Sequence, residues 1–146
     1  MIKNVMLIDD NKIDLFVNQR IIEIYNPEVN IRTFNNGMSA ISFFKLLELN
    51  VSIKSLVLPE VVFLDVNMPE MNGFNFFEEY RFLNIPNKGS IDIYMLSSSI
   101  CPKDIQKAKE ETFCSGYITK PLTVEKIKNL LKREGMKENQ QFRKII

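Results

Sequence analysis

Short apolar runs, each ending abruptly in a charged or hydroxyl residue, constrain this chain more than any other feature. Residues 5–8 (VMLI) run into Asp9 and Asp10, and residues 61–64 (VVFL) run into Asp65. Residues 93–96 (IYML) run into Ser97, Ser98 and Ser99, and residues 117–119 (YIT) run into Lys120 and Pro121. Runs this short have the length of strands. Where they lack in–out alternation, both faces must be covered, which is the condition of a parallel strand lying between helices. With a weaker run added, the expected strands are residues 3–9, 30–34, 61–65, 91–96 and 116–119.

Helical periods fill the gaps. Ile13, Phe16, Val17, Arg20, Ile21 and Ile24 follow helical spacing and predict a core-facing stripe that Pro27 closes. Met38, Ile41, Phe44 and Leu47 repeat the pattern after the Asn35-Asn36-Gly37 turn. Phe74, Phe77 and Arg81 mark a third helix, and Val124, Ile127, Leu130 and Leu131 a last one beginning near Thr123. A fourth begins at Pro102, whose fixed φ suits a first helical turn. Its apolar stripe is thin, Ile105 and Ala108 alone, so it is expected to be weakly anchored and free to move. Strand and helix alternating in this way predict an α/β fold: a five-stranded parallel sheet with right-handed crossovers and helices on both faces. Residues 1–135 form one domain in this reading, residues 48–60 a local insertion, and residues 136–146 a polar C-terminal extension.

Such a sheet carries the C-terminal ends of its strands to one edge, and ligands bind in the crevice there. Asp9, Asp10, Asp65, the Ser97 hydroxyl and the Lys120 ammonium are therefore expected to converge. Three carboxylates need a cation beside them, an ammonium suits phosphoryl oxygens, and a carboxylate can act as nucleophile toward phosphorus. The set predicts phosphorylation of an aspartate assisted by a divalent metal.

Composition narrows the alternatives. Nineteen basic and 18 acidic residues give a formal charge of +1, which supplies no general attraction to nucleic acid or to a membrane surface. The chain has no histidine, which excludes Ser-His-Asp and Cys-His catalysis and excludes it as the histidine donor of a phosphorelay. Cys101 and Cys114 form no metal-ligand spacing and are expected to be free thiols in a reducing cytoplasm. No run is long enough to span a membrane, and no signal peptide is expected. Neither G-x-x-x-x-G-K nor G-x-G-x-x-G occurs.

Over residues 3–133 the sequence resembles the receiver domains of two-component response regulators. Asp9-Asp10 matches the family's acidic pair, and the run from Asp65 through Asn67, Met68 and Pro69 to Gly73 matches the surroundings of its phosphoacceptor. Ser97 stands at its Thr/Ser position, Tyr117 at its aromatic switch position, and Lys120-Pro121 at its Lys-Pro. The resemblance implies a flavodoxin-like (βα)5 fold and Mg²⁺ held by Asp10, Asp65 and the Asn67 backbone carbonyl, with Asp9 acting through water. It implies that Asp65 accepts phosphate and that Lys120, after a cis peptide bond to Pro121, pairs with the phosphoryl oxygens. Ser97 would then draw its loop toward the phosphate, and Tyr117 would turn inward from solvent.

The partners implied are a sensor histidine kinase or histidine phosphotransfer protein and a downstream target or relay partner, with a homodimer also allowed. Direct nucleic-acid binding is not implied, nor turnover of an external substrate. A haloacid-dehalogenase-like phosphatase also uses an Asp nucleophile with Mg²⁺, but its Asp-x-Asp is here Asp65-Val66-Asn67, without the second acid. A phosphate-independent interaction module of the same fold is the remaining alternative.

Overall fold

A computed structural model describes residues 1–49 and 56–131. In chain order it contains β1 (Asn4–Ile8), α1 (Lys12–Tyr25), β2 (Asn30–Phe34), α2 (Gly37–Glu48), β3 (Val61–Asp65) and α3 (Gly73–Arg81). A 3-10 turn at Lys88–Ser90 leads to β4 (Asp92–Ser97), α4 (Pro102–Glu110), β5 (Cys114–Thr119) and α5 (Val124–Leu131). The strands form one parallel sheet of order β2-β1-β3-β4-β5, so the predicted fold class holds. Much of the 48–60 insertion and all of the 136–146 extension lie outside the described residues.

The order places β1 and β3 side by side at the centre, where the direction of winding reverses. β3 is buried at every position, as its unbroken apolar sequence requires. Alternate residues feed two cores. Met6, Ile8, Val62, Leu64, Ile93 and Met95 face α2, α3 and α4, where they meet Phe44, Phe76, Phe77 and Tyr80. Val5, Leu7, Val61, Phe63 and Leu96 face α1 and α5, where they meet Ile22, Ile127 and Leu130.

Asparagine side chains start the first three helices. Asn11 accepts from Ile13 N and Asp14 N, Asn36 accepts from Ser39 N, and Asn72 forms a capping box with Asn75. The face that α1 buries is not the one its apolar pattern suggests. The predicted stripe faces largely outward: Ile13 is 73% exposed, Phe16 59%, Val17 43% and Ile24 72%. Asn18 and Ile22 are buried instead, with Leu15, Ile21 and Tyr25 packed partly against the core. α1 carries apolar residues on two sides, and spacing alone picked out the side away from the sheet.

One irregularity interrupts the β4–β5 ladder. Ile93 pairs with Cys114 but Tyr94 pairs with Gly116, so Ser115 is an extra residue on β5. Its hydroxyl accepts from Ile93 N at 3.2 Å and donates to Asp92 Oδ1 at 2.9 Å, occupying the gap the bulge leaves in the ladder.

Candidate functional site

Three strands deliver the charged residues, each through a backbone bond at the strand's end. Asp9 N donates to Phe34 O at 3.1 Å, fixing the exit of β1 against β2. Val66 N donates to Leu96 O at 3.0 Å, and Lys120 N donates to Ser97 O at 2.9 Å. After β3, Glu70 takes the left-handed region at φ 65°, and Gly73 N donates to Val66 O at 2.9 Å, folding the start of α3 back against Asp65. Gly73 is required by that return. A Cβ there would lie 3.0 Å from Asp65 O and 3.1 Å from Val66 Cα, both backbone atoms that cannot swing aside. The Lys120–Pro121 peptide is cis.

Asp9 and Asp65 are buried, at 2% and 4% exposure, while Asp10 beside them is open to solvent. Carboxylate oxygens of all three lie within 4.8 Å of one another. Lys120 Nζ reaches into the group, 3.2 Å from Asp9 Oδ2 and 3.1 Å from Asp65 Oδ1. It also lies 3.0 Å from Asp14 Oδ2 on the first turn of α1.

Burial raises the Asp65 carboxyl to about 6, and the negative field of Asp9 adds to this, while Lys120 pulls the other way. Burial also raises Asp9, opposed by the Asn11 N–H and by Lys120. For Lys120 burial works against the ammonium, but the hydrogen bond to Asp14 and the charges of Asp65 and Asp9 outweigh it, so its pKa rises. The pocket therefore holds more negative charge than one ammonium neutralises. Its donors are all hard oxygens, clustered at the mouth of a crevice. That chemistry fits Mg²⁺, which is usually held by one or two carboxylates together with waters and phosphate oxygens.

Asp9, Asp10, Asp65, Asn67, Ser97 and Lys120 lie at this edge of the sheet or in the loops leaving it. Asn67 is exposed in the loop after β3. Ser97 is buried at the end of β4, its Oγ accepting from Ser99 N at 3.0 Å. Tyr117 departs from expectation, because its side chain is already inside at 0% exposure, in the core with Met95 and Ala108. Its hydroxyl donates to Ser99 O at 2.8 Å, which satisfies the polar end of an otherwise apolar burial.

The contacts of two further residues carry little signal in the sequence. Asp14 gives no strand-end signal, because it lies inside α1 and does not follow an apolar run. The available signal was its place four residues after Asp10, one helical turn along and outside the apolar stripe. Ser99 ties the loop together: its Oγ donates to Asp104 Oδ2 at 3.2 Å and accepts from Cys101 N at 3.1 Å, while its carbonyl holds Tyr117. Three consecutive serines gave no means of assigning that work.

Among known proteins, the sequence matches the family model of the response regulator receiver domain over residues 5–132. It is 26% identical over 140 residues to a two-component response regulator of Arabidopsis thaliana (ARR10), covering 92% of this chain but 22% of that protein. A crystal structure of a two component response regulator from Cytophaga hutchinsonii superposes with a TM-score of 0.78 at 31% identity, over 90% of this chain and 96% of that one. A response regulator receiver protein from Dyadobacter fermentans gives 0.73 at 28% identity, with coverage of 90% and 96%.

Proposed function

The chain belongs to the response regulator receiver domain family, and from that premise we propose that it is a switch operated by phosphorylation of Asp65. The observation that carries the reading is the convergence of Asp9, Asp10 and Asp65 within 4.8 Å, with Lys120 Nζ 3.1 Å from the Asp65 carboxylate.

In the proposed reaction an Asp65 oxygen attacks the phosphorus of a phosphohistidine on a kinase or phosphotransfer protein. The P–N bond breaks, the imidazole leaves, and an acyl phosphate forms on Asp65. Asp10, Asp65 and the Asn67 carbonyl would hold Mg²⁺, with Asp9 acting through a bound water. The ion would offset repulsion between the carboxylates and the incoming oxygens and stabilise charge in transfer. Lys120 already stands beside the Asp65 carboxylate and would pair with the phosphoryl group. Ser97, at the end of the neighbouring strand, would donate its hydroxyl to that group. Because Ser97 Oγ also accepts from Ser99 N, that donation would draw the loop holding Tyr117 toward the phosphate and so alter the surface made by α4, β5 and α5.

The outward face of α1 supports a protein as donor. Ile13, Phe16 and Val17 stand exposed on the helix that leaves the pocket, with the Arg20 guanidinium 5.3 Å from the Phe16 ring centre. An apolar patch at the mouth of a polar crevice suits a partner that must seat a side chain there. The phosphorylated output surface would bind a downstream protein, with no direct role for nucleic acid and no turnover of an external substrate. The two free cysteines suit a reducing cytoplasm.

Intact-mass spectrometry with acetyl phosphate, with and without Mg²⁺, tests the reading. A single Mg²⁺-dependent phosphoryl adduct is expected on the wild type and none on Asp65→Asn. A wild type that binds Mg²⁺ yet takes no phosphate would favour the phosphate-independent interaction module.

A further inference from the structure

We infer that Asp14 is a positioning residue for phosphoryl binding, holding the Lys120 ammonium at the pocket from the first turn of α1. The inference rests on the proposed function of Asp65 and adds a residue to it. Lys120 Nζ has three carboxylate neighbours, Asp9 at 3.2 Å, Asp14 at 3.0 Å and Asp65 at 3.1 Å. Phosphorylation changes the standing of two of them. Asp65 becomes an acyl phosphate, and Asp9 belongs to the carboxylate cluster suited to a cation. Asp14 stands outside that cluster, on the first turn of α1.

An ammonium has three N–H donors. One can stay on Asp14 while the others turn to phosphoryl oxygens, so the lysine need not be ordered afresh when phosphate arrives. The backbone that carries the anchor is held in turn, because Asp14 N donates to the Asn11 cap at 3.2 Å. Its side chain is 39% exposed and that of Lys120 22%, which sets the scale of the effect as that of a partly solvated ion pair.

A plainer role competes. Any acid in a first turn favours its helix by opposing the macrodipole, with no reference to Lys120. A double-mutant cycle separates the two. The probe is beryllium trifluoride, a tetrahedral stand-in for a phosphoryl group on a carboxylate, titrated at saturating Mg²⁺ and followed by amide NMR.

Asp14→Asn is expected to weaken trifluoride binding about three- to fivefold in the wild-type background and to leave it unchanged in a Lys120→Met background. Mg²⁺ affinity measured without the fluoride should move less than twofold, and Asp14→Glu should restore part of the loss. No loss on Asp14→Asn, or the same loss in both backgrounds, would overturn the inference. Failure of the wild type itself to bind the probe would overturn the phospho-accepting reading instead, and is visible before any variant is compared.

Discussion

The two faces of the sheet are covered in different ways. Toward α2, α3 and α4 the core is aromatic: Phe44, Phe76 and Tyr80 are wholly buried, with ring centres 5.3–6.2 Å apart, and Tyr80 meets Phe113 edge-on at 5.4 Å. Lys88 closes that cluster, its ammonium 4.3 Å from the Phe113 ring centre and bonded to the carbonyls of Arg81 and Leu83. Toward α1 and α5 the core is mostly aliphatic, and α1 leaves Phe16, Ile13 and Ile24 in solvent. The first face gathers its rings into one buried cluster, although Met38 and Leu46 on α2 and Phe82 after α3 stay exposed, while the second leaves Ile13, Phe16 and Val17 in solvent on the helix that leaves the pocket. Apolar residues on a helix therefore do not identify its buried side; what they touch does.

The largest expected effect lies on the aromatic face. Phe76→Ala should lower unfolding free energy by about 3–5 kcal/mol in urea denaturation, since a fully buried ring leaves a cavity among neighbours that cannot all collapse. Gly73→Ala should cost about 1–3 kcal/mol, because the new methyl meets the backbone of Asp65 and Val66. It should also slow phosphorylation by acetyl phosphate, which a purely structural loss elsewhere would not do.

In the charged crevice between the faces, stability should respond to pH. The folded Asp65 carboxyl titrates near 6, above its usual value of 3.8. The native state therefore holds its proton more tightly than the unfolded chain does. In metal-free protein this contribution is fully present below about pH 4 and is lost as pH rises through about 6. Asp65→Asn should accordingly exceed wild type by roughly 2–3 kcal/mol at pH 7, with the gap closing toward pH 4. Chemical denaturation in EDTA across that window checks both sign and position. The smallest effect is expected on the outer face of α1. Phe16→Ala should change stability by no more than about 0.5 kcal/mol while slowing phosphorylation by a protein donor and sparing that by acetyl phosphate. A loss of several kcal/mol there would break the contrast between the two faces.

The fold and the charged centre were legible in the sequence because both are local signals that recur. An apolar run announces a strand covered on both sides, and whatever follows it must lie at the strand's end. Asp9, Asp10, Asp65, Ser97 and Lys120 could be gathered by that rule without any knowledge of side-chain contacts. The phase of α1 was not legible, because Ile13, Phe16 and Val17 satisfy helical spacing as well as Leu15, Ile22 and Tyr25 do. The inward Tyr117 was hidden for another reason: its acceptor is a backbone carbonyl, that of Ser99, which every residue possesses and no pattern advertises.

The extra residue at Ser115 decides which way β5 looks. Side chains alternate along a strand, so a shift of one position exchanges its two faces. Cys114 and Tyr117 lie three residues apart yet share one core, while Ile118 belongs to the other. Only the insertion at Ser115 reconciles those placements with an alternating strand. Loss of that one codon would face a choice between moving Tyr117 to the α1–α5 side and dragging Lys120 a full residue away from Asp65. Length, at this point in the chain, is as much a determinant of where Tyr117 and Lys120 stand as chemistry is.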